Sequence, residues 1–287
     1  MEKNTSSAIY GVLGFPSKHS LSPVMHNAAF KELKINAEYR IFEVPPQELE
    51  GFLKGLSKNN IAGINVTIPY KERVIPYLQK TSVEADLIGA VNTIKVSQDG
   101  LEGFNTDGEG FLRHISEVFD FDPRDKKISI LGAGGASKAV CVYLAKTGPK
   151  RISVYDVNHE KVRGLIAHLV HCCKGPEFIE AGSIEELLIQ EADLLVNATP
   201  IGMKESDPSL VDEKFLHNGL FVYDLIYHHP QTALLRSARE KGCLSSNGLG
   251  MLLYQGMLSF KIWTGKNAPK EVMEEALLST LKKSHQV

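Results

Sequence analysis

Cysteine is scarce in this chain, with four residues in 287, at positions 141, 172, 173 and 243. So few thiols, with no apolar leader ahead of them, exclude a secreted disulfide scaffold and fit a reducing cytoplasm. Long apolar runs are missing as well. No stretch reaches the roughly 18 residues of a membrane span, and the polar opening from Met1 to Ser7 reads as neither anchor nor signal, so a soluble protein is expected. Charge of one sign is also absent. The 32 Lys and Arg stand against 34 Asp and Glu, a formal net of -2, and no basic run forms, which argues against nucleic acid or an anionic membrane as partner. No internal repeat or low-complexity tract is visible. Asn4-Thr5-Ser6, Asn65-Val66-Thr67 and Asn197-Ala198-Thr199 fit a glycosylation acceptor, but without a secretory leader they read as chance matches.

What is present is a globular composition, 43% hydrophobic and 23% charged, long enough for two ordinary domains. Short Val- and Ile-rich runs alternate with segments of helical period: Ala8–Gly14, Pro23–Leu33, Glu38–Val44, Gln47–Lys58, Gly63–Val66 and Lys71–Leu78. That alternation predicts βαβ units and a mostly parallel sheet. It restarts at Lys127–Leu131 and runs through helix Ala136–Lys146, strand Arg151–Tyr155, helix His159–His171, and strands Asp193–Asn197 and Leu220–Asp224. Gly248–Thr264 and Pro269–Lys283 then read as helices with no strand between them. The expected fold class is α/β in two domains: 1–107 binding substrate, 108–245 binding a dinucleotide in a Rossmann fold, and 246–287 returning as helices to the first domain.

Several motifs carry chemistry. Gly132-Ala133-Gly134-Gly135-Ala136-Ser137 follows a predicted strand and opens a predicted helix, where glycines admit a pyrophosphate to the helix N-terminus; an ordinary tight turn is the plainer reading. Asp156 ends the next strand, placed either to accept hydrogen bonds from ribose hydroxyls or to cap the helix beginning near Asn158. Ser20 and Ser22 precede a helix whose first position is Pro23; they offer a cradle for a small carboxylate, or Ser22 is a cap. Lys71 follows the strand ending Asn65-Val66, and Asn92 and Asp107 are polar residues at strand ends in the same predicted domain. Each alone reads as a surface charge or a turn residue. His168, His171, Cys172 and Cys173 invite a zinc reading, but their spacing matches no closed tetrahedral set and no metal is expected.

Taken in order, Ser-x-Ser-Pro, Asn-Val-Thr-Ile-Pro-x-Lys, Gly-Ala-Val-Asn-Thr, Asn-Thr-Asp-Gly, Gly-Ala-Gly-Gly-Ala-Ser, Asn-Ala-Thr-Pro-x-Gly-Met and Gly-Leu-Gly-Met-Leu-x-x-Gln resemble the shikimate dehydrogenase family over roughly residues 8 to 282. The resemblance implies NAD(P)-dependent reduction of 3-dehydroshikimate to shikimate on the way to chorismate, in the cytoplasm. It implies that Ser20 and Ser22 hold the substrate carboxylate and that Thr67, Asn92, Asp107 and Gln255 hold ring hydroxyls. Lys71 and Asp107 match the catalytic pair, and Tyr227 matches a tyrosine near substrate. Gly132, Gly134, Gly135, Ala136, Ser137, Asp156, Asn197, Thr199, Met203 and Gly248 match the cofactor side. A homodimer is compatible with the resemblance.

One run departs from the family. NADP-using members typically follow the second nucleotide-domain strand with Asn-Arg-Thr, whereas this chain has Tyr155-Asp156-Val157-Asn158-His159. A carboxylate there favours NAD, with NADP the alternative because Lys161 and Arg163 lie nearby. A quinate/shikimate dehydrogenase and a nucleotide-binding regulator without catalysis are the competing readings; retention of Lys71, Asp107 and both serines speaks against the regulator.

Overall fold

The computed structural model describes residues 7–284, so the triplet Asn4-Thr5-Ser6 lies outside the described residues. The chain divides into two compact units, one of residues up to Thr106 together with those from Leu253 onward, the other Asp107–Leu252. The chain therefore crosses between units at 106/107 and 252/253, where the sequence pattern puts the boundaries at 107/108 and 245/246.

The first unit begins with β1 (Ala8–Gly14), α1 (Ser22–Glu32), β2 (Ala37–Glu43), α2 (Leu49–Gly55) and β3 (Ile61–Val66). It continues with β4 (Lys80–Thr81), α3 (Val83–Ile88), β5 (Thr93–Ser97) and β6 (Gly100–Phe104). Its sheet has the order β2-β1-β3-β5-β6-β4. The expected parallel character holds for β1–β2, β1–β3 and β4–β6, while β3–β5 and β5–β6 are antiparallel. The antiparallel hairpin is set by a tight turn in which Ser97 opposes Gly100, a glycine at φ +113° that an L side chain would strain. Leu13, Ile64, Tyr70, Val74 and Ile94 are fully buried in this unit's core.

Two expected helices change. Lys71–Leu78 forms turns and one 3-10 turn over Ile75–Tyr77, because Pro76 lacks an N–H and disfavours the α conformation at the residue before it. Gln47–Lys58 contracts to α2, with 3-10 turns on either side and Asn60 in the left-handed region at φ +57° ending the run.

The second unit contains α4 (Asp107–Phe119), β7 (Lys127–Leu131), α5 (Gly135–Lys146), β8 (Arg151–Tyr155), α6 (His159–Cys172) and β9 (Glu177–Glu180). β10 (Leu194–Asn197), β11 (Phe221–Asp224), α7 (Ala233–Glu240) and β12 (Leu244–Asn247) follow. Every pairing is parallel in the order β12-β11-β10-β7-β8-β9, the doubly wound order with its switch point between β7 and β10, the place where such sheets hold ligands. Ile128, Ile130, Ile152, Val154, Leu195 and Val196 are fully buried, the continuous apolar strands that a sheet covered on both faces requires. The helices α8 (Leu249–Thr264) and α9 (Lys270–Ser284) end the chain, and α9 packs on α1. Among the described residues no helix is long and apolar enough to cross a membrane.

His26 on α1 is the polar anomaly of the first unit. Its ring is fully buried, stacks on Tyr39 with centroids 4.5 Å apart, and lies among Phe260 and Trp263 with neither nitrogen hydrogen-bonded. Burial pulls its pKa from the ordinary 6.5 down to about 3. The neutral form is the one folding favours, so this residue's contribution to stability is intact above pH 6.5 and is lost as pH falls towards about 3. The slope is about 1.4 kcal/mol per pH unit over that window. His26→Phe keeps the ring contact and removes the proton site, so its Tm should fall less than that of the wild type between pH 7 and 4; parallel acid limbs would refute this.

Candidate active site

In the second unit the glycine turn has the geometry that the sequence implies. Gly132 follows β7 at φ +101°, and a Cβ there would stand 2.9 Å from the Ala198 carbonyl carbon and oxygen, so only glycine lets these two backbones meet. Gly134 takes the N-cap position of α5, with no side chain capping the helix and open space where its Cβ would be. Gly135 and Ala136 open the helix. Uncapped amides at a helix N-terminus fit an incoming pyrophosphate. Ser137 is fully buried and donates to the Gly132 carbonyl at 2.6 Å, so its hydroxyl braces the turn from below.

Asp156 is committed to the same turn. Its Oδ2 accepts from the Ala133 N–H at 2.8 Å and its Oδ1 from the Asn158 N–H at 2.9 Å. The capping alternative for Asp156 is overturned, because Asn158 is the N-cap of α6 and its side chain accepts from the Lys161 N–H at 3.1 Å. His159, Lys161 and Arg163 follow, all exposed.

The segment after β10 is pinned from within. Asn197, 1% exposed, accepts from the Thr199 N–H (3.0 Å) and hydroxyl (2.7 Å) at Oδ1, and donates through Nδ2 to the Ile201 carbonyl (3.1 Å) and Asp224 (3.0 Å). Further out, the exposed Met203 presents its carbonyl to His229 Nε2 at 2.7 Å. Asp207 accepts from the Gly202 and Lys204 amides, which hold its carboxyl below the usual range. Gly248 precedes α8 where a Cβ would stand 2.1 Å from the Leu225 carbonyl oxygen, so glycine is required there too. Tyr227 is half-buried beside the His228 ring, at 4.2 Å between centroids. Asp107 is buried as the first residue of α4.

In the first unit, Ser20 Oγ accepts from the Ser22 N–H at 3.3 Å, bringing both serines to the entrance of α1. The capping alternative for Ser22 is overturned, since Leu21 holds the N-cap position and no side chain makes a cap bond; Ser22 is already helical. Thr67 leaves β3 with its N–H on the Leu13 carbonyl at 2.9 Å. Lys71 is half-buried and its carbonyl accepts from the Val91 N–H at 2.7 Å, which ties the lysine to the turn that carries Asn92. Asn92 donates to Gln255 Oε1 at 3.3 Å and to Thr106 Oγ1 at 2.9 Å, and accepts from the Thr106 N–H at 2.8 Å. Lys71 and Asp107 fall in different units.

Beneath Asn92 and Gln255 lies a polar layer that motif reading missed. Ser259, fully buried one helical turn after Gln255, accepts from Asn65 Nδ2 at 3.0 Å and shares hydrogen bonds with Thr93 (2.8 Å) and Thr106 (3.2 Å). Tyr39 donates to Asn65 Oδ1 at 2.8 Å. The i, i+4 spacing of Gln255 and Ser259 was the available signal. Asn65 and Asn197 are both buried and hydrogen-bonded, which removes them as glycosylation acceptors. Among the described residues no group of three or more His, Cys, Asp or Glu is placed to hold a metal ion. Cys172 and Cys173 bring their sulfurs to 3.5 Å, and burial pushes the Cys173 thiol up to about 12.

Two family models match the chain: the shikimate dehydrogenase substrate binding domain over residues 12–94 and the shikimate 5'-dehydrogenase C-terminal domain over residues 248–278. A shikimate dehydrogenase (NADP(+)) of Methanopyrus kandleri is 46% identical over 282 residues, covering 96% of both chains. The crystal structure of shikimate dehydrogenase from Aquifex aeolicus superposes with a TM-score of 0.87 at 38% identity, covering 96% of this chain and 98% of that one. The Listeria monocytogenes shikimate 5-dehydrogenase in complex with shikimate and NAD gives 0.86 at 35% identity, covering 96% and 98%.

Gly132→Ala tests the turn. A methyl group at that φ, against the Ala198 backbone, should weaken dinucleotide binding about tenfold or more, since strain of roughly 1–2 kcal/mol adds to the displaced loop. A nicotinamide fluorescence titration reads it, and an unchanged Kd would show that the turn takes no part in binding.

Proposed function

This chain belongs to the shikimate dehydrogenase family, and we infer that it reversibly reduces 3-dehydroshikimate to shikimate with a nicotinamide dinucleotide, in the biosynthesis of aromatic amino acids. The likeness carries this reading: at 46% identity over 96% of the chain it takes in the substrate-side motifs and the glycine turn together. A nicotinamide dinucleotide held by the glycine turn of the second unit would supply the hydride. The remaining tasks fall to side chains. Ser20 and Ser22 bind the substrate carboxylate, and Thr67, Asn92 and Gln255 orient the ring, the last two held by the Ser259 layer. Lys71, with Asp107, serves the proton or the developing charge at the carbonyl oxygen, and Tyr227 lies on the substrate side. Gly132, Gly134, Gly135 and Ala136 hold the pyrophosphate, braced by Ser137, while Thr199, Asn197 and Met203 line the nicotinamide side next to Gly248.

The cofactor is NAD in preference to NADP. Asp156 accepts two backbone N–H groups and keeps lone pairs for ribose hydroxyls, whereas a 2′-phosphate would bring about two negative charges against it. At an effective dielectric near 20, that repulsion exceeds the roughly 1.4 kcal/mol of a tenfold preference. The Methanopyrus kandleri relative carries NADP(+) in its name, which makes NADP the cofactor to test against.

Two measurements test these assignments. Lys71→Ala should lower kcat about a hundredfold or more while KM for shikimate changes only a few-fold, because the group acts in the transition state. A kcat within about threefold of wild type would remove Lys71 from the chemistry. For the cofactor, kcat/KM with NAD should exceed that with NADP, and Asp156→Asn with His159→Arg should move the ratio towards NADP. A wild type favouring NADP tenfold would overturn the preference. Running shikimate and quinate side by side fixes the substrate.

A further inference from the structure

The chemistry assigned above leaves one buried carboxylate unused. Asp224, fully buried, ends β11 in register with Asn197 at the end of β10 and Asn247 at the end of β12, so three polar residues lie side by side at the carboxyl edge. Its Oδ1 accepts from Asn197 Nδ2 at 3.0 Å and from the Ile226 N–H at 3.1 Å; its Oδ2 accepts from Thr232 Oγ1 at 2.6 Å. Burial pushes this carboxyl up, and those three hydrogen bonds oppose the shift. A charge kept out of water is costly, and an apolar residue would fill a strand end with less penalty. What the carboxylate adds is connection. Through Asn197 it reaches both polar groups of Thr199, and through Ile226 it fixes the residue before Tyr227. Thr232 also caps α7 by accepting from the Leu235 N–H at 3.3 Å, so the carboxylate is anchored to a helix terminus as well.

We propose that Asp224 is a positioning residue for hydride transfer, locking the Asn197–Met203 loop and the Tyr227 loop in one arrangement through Asn197, Ile226 and Thr232. This rests on the reading of those loops as the nicotinamide and substrate sides. A role confined to stability would harm the adenosine end and the nicotinamide end alike. A positioning role would spare the adenosine end, because Gly132, Gly134 and Asp156 make no hydrogen bond to Asp224 or Thr232.

The test uses the full chain with Asp224→Ala, Asp224→Asn, Thr232→Val and Thr232→Ser, each with its Tm measured. Asp224→Ala should lower kcat for shikimate oxidation about fiftyfold, leave the Kd for ADP-ribose within twofold, and enlarge the deuterium isotope effect with shikimate labelled at the reacting carbon, as misaligned hydride transfer becomes rate-limiting. If Asp224→Ala does not fold, Thr232→Val and Asp224→Asn decide, each expected to lower kcat five- to tenfold with ADP-ribose binding unchanged, and Thr232→Ser to restore it. A kcat within threefold in the folded variants, or a loss of ADP-ribose affinity parallel to the loss of kcat, overturns the proposal. Wild-type turnover of shikimate tests the function itself, while the variant-to-wild-type ratios test Asp224.

Discussion

Parallel strands deliver their last side chains to a single edge, and a polar group that arrives there buried has to be hydrogen-bonded, because water cannot reach it. Both sheets of this chain meet that constraint with amides. In the first, Asn65 bonds to Thr93, Ser259 and the Asn92 carbonyl. In the second, Asn197 spans from Thr199 to Asp224. An amide donates at one end and accepts at the other, so it joins segments that a hydroxyl or a carboxylate alone would leave partly unsatisfied. The segments joined in this way are the ones that carry Asn92, Gln255, Thr199 and Tyr227.

Satisfied networks of this kind hold their members in one geometry at low dielectric, and a partly broken one leaves donors stranded at about 1–3 kcal/mol each. The consequence is a division of labour. Asn92 spends its side chain on Thr106, Thr93 and Gln255, so it is held in one orientation with little rotamer freedom left to lose. Ser137 does the same for the glycine turn by tying the first turn of α5 to the Gly132 carbonyl.

How legible this was depended on where an element sits. β7 and β8 match the sequence reading to the residue, because a central parallel strand is one continuous apolar run bounded by turns. β5, β6 and α4 went unread. The hairpin strands are half-buried and short, their one signal being Asp99-Gly100, and α4 carries Gly108 and Gly110 in its first turn, which lowers helix propensity where a start would be sought. The glycine turn and its acidic partner stood out by spacing. Ser259, Thr106 and Asp224 did not, since their residue types are common and much of their importance comes from partners far off in sequence, as the bonds Asn197 to Asp224, 27 positions apart, and Asn65 to Ser259, 194 apart, illustrate.

Asp156 shows why charge and geometry have to be weighed together at such a site. Read from sequence, it is a sign of cofactor preference; in the fold it also holds the Ala133 amide, so the same acid shapes the glycine turn. Replacing it with asparagine keeps one oxygen acceptor and turns the other position into a donor, which can serve Ala133 or Asn158 but not both. Removing the charge therefore loosens one anchor of the loop at the same step. A loop of this kind that is to meet a phosphate has to supply a positive partner and also a new acceptor for the displaced amide, which is why the acid cannot be exchanged without a change in the residues beside it.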